Sequence, residues 1–299
     1  MRYLSIYLSI YLSMPLATAA RRNREASSLD IANRILEKFP LIDGHNDLPY
    51  QIRLKGTVGS IDLNSRLDKI YNVSHTDIPR LRAGKLAAQF WSTYVDCDSQ
   101  YKDAVKKSLE QIDIVKNFVA KYPDTFQFVT SAQGIKDAFK NHKIGCLAGL
   151  EGGHSIDSSL GALRMFYDLG VRYMTITHSC NTPWADNWKT DIDKSWEFNG
   201  LSPFGEKVIK EMNRLGMLVD LSHVSKQTMA DSLRVTRAPV IFSHSSAFTY
   251  CNHYRNVQDD ILKLTKENGG VVMVNFFNLY INCYPHNQTR TTLQQVAGK

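Results

Sequence analysis

Five of the nine histidines in this chain follow short apolar runs and sit beside acidic or hydroxyl residues. The first instance is Leu41-Ile42-Asp43-Gly44-His45-Asn46-Asp47-Leu48-Pro49, where an apolar pair enters a polar cluster and is stopped by proline. That pattern predicts a short strand ending in a loop. Residues two apart on extended backbone point to the same side, so His45 and Asp47 present an imidazole and a carboxylate together. Those are ligand types for zinc or a similar divalent ion. A single such pair is equally an ordinary strand end, but the arrangement recurs. Further runs end in Leu150-Glu151-Gly152-Gly153-His154, Thr177-His178-Ser179, Asp220-Leu221-Ser222-His223 and Phe242-Ser243-His244-Ser245.

The elements that must position these groups alternate regularly. Apolar runs at Leu41–Pro49, Ala88–Val95, Ile144–Glu151, Val171–His178, Met217–His223, Pro239–His244 and Val271–Phe277 read as seven buried strands. Helical periodicity occupies Ser28–Lys38, Val105–Ala120, Leu160–Leu169, Phe204–Leu215, Lys226–Leu233 and Asp259–Lys266. Strands alternating with helices imply parallel βαβ units. Gly149 to Gly153 lacks the spacing of a dinucleotide-binding loop, which disfavours an open nucleotide-binding sheet. In a (β/α)8 barrel the C-terminal strand ends meet at one mouth, where such barrels hold their active sites. The seven strands are one short of that closed barrel.

At 299 residues the chain can bury one large core or two smaller ones. Residues 1–20 read as a secretory signal peptide: Arg2, a largely apolar Tyr3 to Leu16, then small residues with cleavage after Ala19 or Ala20. An uncleaved anchor fits less well, because the run is short and interrupted by serine. Residues 21–299 form the mature domain. The net charge of +7, one less without Arg2, comes from dispersed basic residues, so no nucleic-acid footprint is present. For an exported chain the five cysteines imply two bridges, with three pairings open for any chosen four. Cys146, inside an apolar run, reads as a buried free thiol. Asn72 and Asn287 open glycosylation sequons. The terminal Gln294-Gln295-Val296-Ala297-Gly298-Lys299 is not a lipid-anchor signal. The expected location is the secretory pathway, and beyond it the extracellular space or cell surface.

Taken together, the motifs at Ile42–Pro49, Gly149–His154, Thr177–Asp186, Asp220–Ser225 and Phe242–Ser245 resemble membrane (renal) dipeptidase, from about Leu41 to the C-terminus. That family is a two-zinc (β/α)8 hydrolase of small dipeptides. The resemblance implies that His45 and Asp47 hold one zinc, Glu151 bridges both, and His223 with His244 completes the second. It assigns His178 and Arg255 to substrate binding, and pairs Cys97 with Cys180 and Cys251 with Cys283. Family members are membrane-anchored, and a homodimer is compatible with the resemblance. The chemistry agrees: two bridged ions can share a water, lower its pKa and aim the hydroxide at a carbonyl. His178 is then placed to stabilise the oxyanion, and the planar fork of Arg255 suits a terminal carboxylate. His154 reads as a support for the Glu151 segment, and Trp184 and Trp188 as pocket lining or a cap over the barrel.

The family pattern continues into an eighth strand bearing an acidic residue implicated in handling the substrate amine. The expectation is therefore a barrel truncated before that strand, with unpaired edges on its first and last strands. The function this implies is a zinc dipeptidase. The alternatives are a dizinc hydrolase of another small amide (a β-lactam or a cysteinyl-glycine conjugate) and a catalytically impaired homologue acting as an extracellular binding domain.

Overall fold

The computed structural model describes residues 27–56, 58–71, 74–283 and 291–298. The leader and both sequon asparagines, Asn72 and Asn287, lie outside them. Among the described residues eight strands occur in the order β1 (Leu41–Asn46), β2 (Leu86–Tyr94), β3 (Phe126–Phe128), β4 (Ile144–Glu151), β5 (Val171–Thr175), β6 (Leu218–Asp220), β7 (Ile241–Ser245) and β8 (Val271–Val274). Seven of them, β1-β2-β4-β5-β6-β7-β8, are the expected seven and run parallel around a nearly closed barrel. Helices fill the connections between them, among them Ala104–Lys121, Leu160–Asp168, Pro203–Leu215, Lys226–Val235 and Asp259–Asn268. This is the α/β barrel architecture anticipated above. Among the described residues no further strand joins β1 to β8.

β3 was not anticipated. Phe-Gln-Phe is too short to register as an apolar run, and it pairs only with the first half of β4. The second half of β4, from Ala148, pairs with β5. Pro49 also acts differently from the stop expected of it. It lies in the first turn of a helix, Leu48–Leu54, where its missing N–H leaves no bond unmade.

Alternation along the strands divides two layers. Ala148, Leu150, Met174, Val219 and Phe242 face outward into a core with Leu163, Phe166, Ile209, Met212 and Ile261 from the surrounding helices. Trp91 packs edge-on against Phe118 and Phe126 in a neighbouring cluster. Inside the barrel, Ala88, Phe90, Leu147, Tyr173 and Ile241 form a smaller apolar plug. Above it, toward the C-terminal strand ends, the interior becomes polar.

The barrel narrows at Gly44. A Cβ there would stand 2.4 Å from the Ser243 carbonyl oxygen and 2.5 Å from Met273 Sδ, so glycine lets β1 lie close against β7 and β8. Two disulfides brace the loops, Cys97–Cys180 and Cys251–Cys283, and Cys146 is a buried free thiol. Among the described residues no helix is long and apolar enough to cross a membrane.

Candidate metal centre

Glu151 ends β4 with its side chain buried at the barrel mouth. Ser92 of β2 donates its hydroxyl to Oε2 at 2.8 Å. Four imidazoles surround the same carboxylate. His45 Nε2 lies 3.4 Å from Oε2, and the Nε2 atoms of His223, His244 and His178 lie 3.0, 3.5 and 3.8 Å from Oε1. Asp47, more exposed than the rest, places Oδ1 3.3 Å from His45 Nε2.

Local backbone irregularities aim these rings. Between Asp43 and Asn46, β1 spends three residue steps against two on β2, and β7 does the same against β8 between Phe242 and Ser245. Each extra residue is a bulge of the kind that turns a side chain out of strict alternation. Through them His45 and His244 meet inside the mouth with ring centroids 3.7 Å apart. His223 lies beyond the end of β6, with a left-handed φ of 70° that is uncommon for a residue with a Cβ. His178 is past the end of β5, between the rings of Tyr94 and His223, with Cys97 Sγ of the first disulfide 3.8 Å from its Nδ1.

Burial opposes charge on every one of these rings. At His45 the carboxylates of Glu151 and Asp47 overcome it, and the pKa is raised well above the ordinary imidazole value. Burial lowers His178 to about 4 against the pull of Glu151. It also drives His223 and His244 well down, helped by the Arg255 cation. Glu151 is desolvated too, yet the histidines around it, His45 foremost, hold its carboxyl well below the usual range. At neutral pH the result is an ionised carboxylate facing the neutral rings of His178, His223 and His244, with His45 as the protonated exception.

This donor set fits a divalent metal. His223 Nε2 and His244 Nε2 approach to 3.0 Å, where two lone pairs would repel without a cation between them or a proton on one. Two triads have ligand atoms close enough to share an ion, His45–Glu151–His244 and Glu151–His178–His223, and they have Glu151 in common. Four of the five residues expected as ligands, His45, Glu151, His223 and His244, fall in these triads, and His178, expected to bind substrate, joins them; Asp47 is in neither triad, although its Oδ1 lies 3.3 Å from His45 Nε2. His244 shares a triad with His45, although its Nε2 also lies within 3.0 Å of His223 Nε2.

Arg255 is fully buried nearby. Its Nη1 donates to Ser245 Oγ at 3.1 Å and its Nη2 to the His244 carbonyl at 3.2 Å, while Nε has no partner. The guanidinium stands 5.7 Å from the Tyr280 ring centroid. His253 is half-buried. Its ring lies tilted against those of Trp188 and Tyr280, and its Nδ1 accepts the Arg255 backbone N–H. His154 is buried and its Nε2 bonds the Val95 carbonyl, whereas Trp184 belongs to the outer core. A cavity of about 560 Å³ adjoins the His45–His244 side, lined by Asp47, Gln51, Thr76, Asn275 and Phe277 among others.

Ser92, Tyr173 and Ser243 were not singled out from the sequence, although each touches the site. Their signal was a polar side chain inside a strand buried on both faces, where a plain core residue would be apolar.

The model of the family described as "Membrane dipeptidase (Peptidase family M19)" matches residues 29–299. Dipeptidase 3 of Rattus norvegicus is 46% identical over 253 residues, which is 83% of this chain and 50% of the rat protein. Dipeptidase 3 of Mus musculus is 47% identical over 251 residues, 83% of this chain and 49% of the mouse protein. The chain therefore spans about half the length of these curated relatives. Among solved structures, the dipeptidase AC, a family M19 metallo peptidase, superposes with a TM-score of 0.73 at 22% identity, covering 87% of this chain and 79% of that one. A Rhodobacter sphaeroides metallo peptidase, liganded with a phosphinate mimic of the dipeptide L-Ala-D-Ala, gives 0.71 at 21% identity, covering 87% and 80%.

Proposed function

Given that this chain belongs to the membrane dipeptidase family, we propose that it is a zinc-dependent dipeptidase that hydrolyses the peptide bond of small dipeptides. The observation that carries the reading is one buried carboxylate, Glu151, common to two triads of ligand atoms. His45, Asp47, Glu151, His223 and His244 are the residues that would hold two zinc ions, with Glu151 bridging. Bound there, zinc would acidify a water and polarise the scissile carbonyl.

The chain's own residues supply the rest. Arg255 is a buried cation whose bonds go only to a neutral hydroxyl and a carbonyl, with Nε still unpartnered. A dipeptide's terminal carboxylate would complete it by a charge-assisted pair. Such a clamp favours substrates whose free carboxylate lies one residue from the scissile bond. His178 remains neutral through the physiological range and can present an N–H to the oxygen on which negative charge develops. The adjoining cavity has the volume of a small-ligand site. The two disulfides support a chain made in the secretory pathway and working outside the cell or on its surface.

Zinc content by plasma mass spectrometry and turnover of a panel of dipeptides test the reading on the purified chain. The panel includes cysteinyl-glycine and a β-lactam, so a shift toward another small amide would be seen directly. The expected result is two zinc ions per chain with dipeptide cleavage. Zinc uptake without turnover of any panel member would favour an extracellular binding domain, and no zinc uptake would overturn the metal assignment.

A further inference from the structure

His253 has no part in the chemistry proposed above, yet its ring stands where three strand-end segments meet. It lies against Trp188 from the loop after β5, with ring centroids 5.1 Å apart, and against Tyr280 from the segment after β8, at 4.7 Å. Trp188 is itself held at the mouth, because its backbone N–H donates to the His223 carbonyl and its indole N–H to Ser179 Oγ. The same histidine reaches two residues along its own loop. Its Nδ1 accepts the Arg255 backbone N–H at 3.0 Å.

Arg255 sits where such a hold matters. The chain passes from an exposed Tyr254 to a fully buried Arg255 in one step, within a turn that belongs to no strand or helix. On the far side the descent is pinned. The Cys251–Cys283 disulfide ties this loop to the segment after β8, and Asn256 Nδ2 donates to the carbonyls of Cys251 and Tyr280. At its tip the guanidinium bonds Ser245 Oγ and the His244 carbonyl. Between the two, the partner of the Arg255 backbone N–H is the His253 ring. A buried N–H deprived of its acceptor shifts to find another, and here that shift would carry the guanidinium with it.

We propose that His253 is a positioning residue for Arg255: through Nδ1 it fixes the backbone from which the guanidinium meets the substrate carboxylate. The inference rests on the clamp role given to Arg255 above and adds the residue that sets the clamp. The bond has the form of an Asx turn, in which a side-chain acceptor takes the N–H two residues on. An imidazole can do this only from a bare Nδ1, so the neutral ring carries its proton on Nε2. Burial and the Arg255 cation both lower the pKa of His253, which keeps that lone pair free at physiological pH. Contact with Trp188 and Tyr280 restrains the ring from swinging away, so the acceptor is in place before substrate arrives.

Two substitutions separate the acceptor from the ring. His253→Asn keeps an oxygen where Nδ1 stands and removes most of the ring, whereas His253→Phe keeps a ring between Trp188 and Tyr280 and removes the acceptor. On the zinc-loaded chain, His253→Phe should raise KM for dipeptides about tenfold with kcat and zinc content unchanged, because Arg255 grips substrate and transition state alike. His253→Asn should keep KM close to the native value. A His253→Phe chain no worse than His253→Asn would show that the ring only fills space, and would overturn the proposal. Amide hydrogen exchange reads the bond without turnover. The Arg255 amide should be protected in the wild type and in His253→Asn, and should exchange at least about tenfold faster in His253→Phe; a freely exchanging wild-type amide would refute the bond. So would a proton on Nδ1 of His253 in long-range 1H–15N spectra of the wild-type ring. If His253→Phe fails to fold, the wild-type exchange and ring spectra still decide. A wild-type chain that cleaves no dipeptide would sink the dipeptidase reading, while both spectra would continue to test how Arg255 is placed.

Discussion

Replacing Glu151 with Gln probes the centre most directly, because it keeps the shape of the side chain and removes its charge. In the native chain Oε2 faces His45 and the Ser92 hydroxyl, and Oε1 faces His178, His223 and His244. Whichever way the amide turns, its NH2 confronts at least one Nε2 and occupies a lone pair that an ion would use. Loss of the shared anion should weaken zinc binding by at least about a hundredfold, roughly 2.8 kcal/mol. The metal-free fold should suffer less. Removing one member of a buried ion pair costs about 3–5 kcal/mol when the other charge is trapped. Here the charge is not trapped: the pKa of His45 is raised by Glu151 and Asp47, so without Glu151 the ring can shed its proton. The remaining cost is that of imperfectly matched hydrogen bonds, about 1–3 kcal/mol. Zinc titration calorimetry beside chemical denaturation of the metal-free variant separates the two effects. A Glu151→Gln chain that binds two zinc ions with native affinity refutes the shared-carboxylate reasoning.

Arg255→Lys should raise KM for dipeptides about tenfold with zinc content unchanged, since one ammonium replaces a fork that bonds Ser245 and the His244 carbonyl; an unaltered KM removes the clamp. Burial pushes the Cys146 thiol up to about 12, so it should resist alkylation at pH 8 until the chain is unfolded. Mass spectrometry showing labelling of the native chain would contradict its buried position. Acid should destabilise the metal-free protein. His178, His223 and His244 have folded pKa values below the unfolded one, so their contribution is complete above about pH 6.5. It is lost as pH falls toward 4, where the unfolded chain binds protons that the folded chain refuses, at about 1.4 kcal/mol per pH unit for each ring. His45, raised instead of lowered, acts in the opposite sense and offsets part of this. A melting temperature that stays flat or rises between pH 7 and 5 would show that these rings are not kept neutral.

Much of this was legible in the chain itself. Apolar runs separated by helical segments gave seven barrel strands in the right order, because a parallel strand buried on both faces has to be apolar along its length. Six helices were found within one or two residues of their ends, since their amphipathic periods span several turns. The short pieces escaped. Phe126–Phe128 has too few residues to carry a period, and Pro49 looked like a terminator although the following turn made it a helix start. Site residues announced themselves when a histidine or acid followed an apolar run, as with Glu151 and His244. Tyr173 and Ser243 stayed hidden within such runs.

By itself, then, the sequence determined which side chains reach the C-terminal rim, because strand order and polarity are local properties of the chain. Only the tertiary structure decided how they face one another. Strict alternation does not place His45 and His244 in ring contact; two bulges, each measured against a neighbouring strand, do so. The bonds from Asp220 to Ser243 and from Ser243 to His244 have the same origin. With the Thr175 hydroxyl on Asp220 they join β5, β6 and β7 across 69 positions, from Thr175 to His244. No run of adjacent residues encodes such a route, since a hydrogen bond depends on distances that the curled sheet alone imposes.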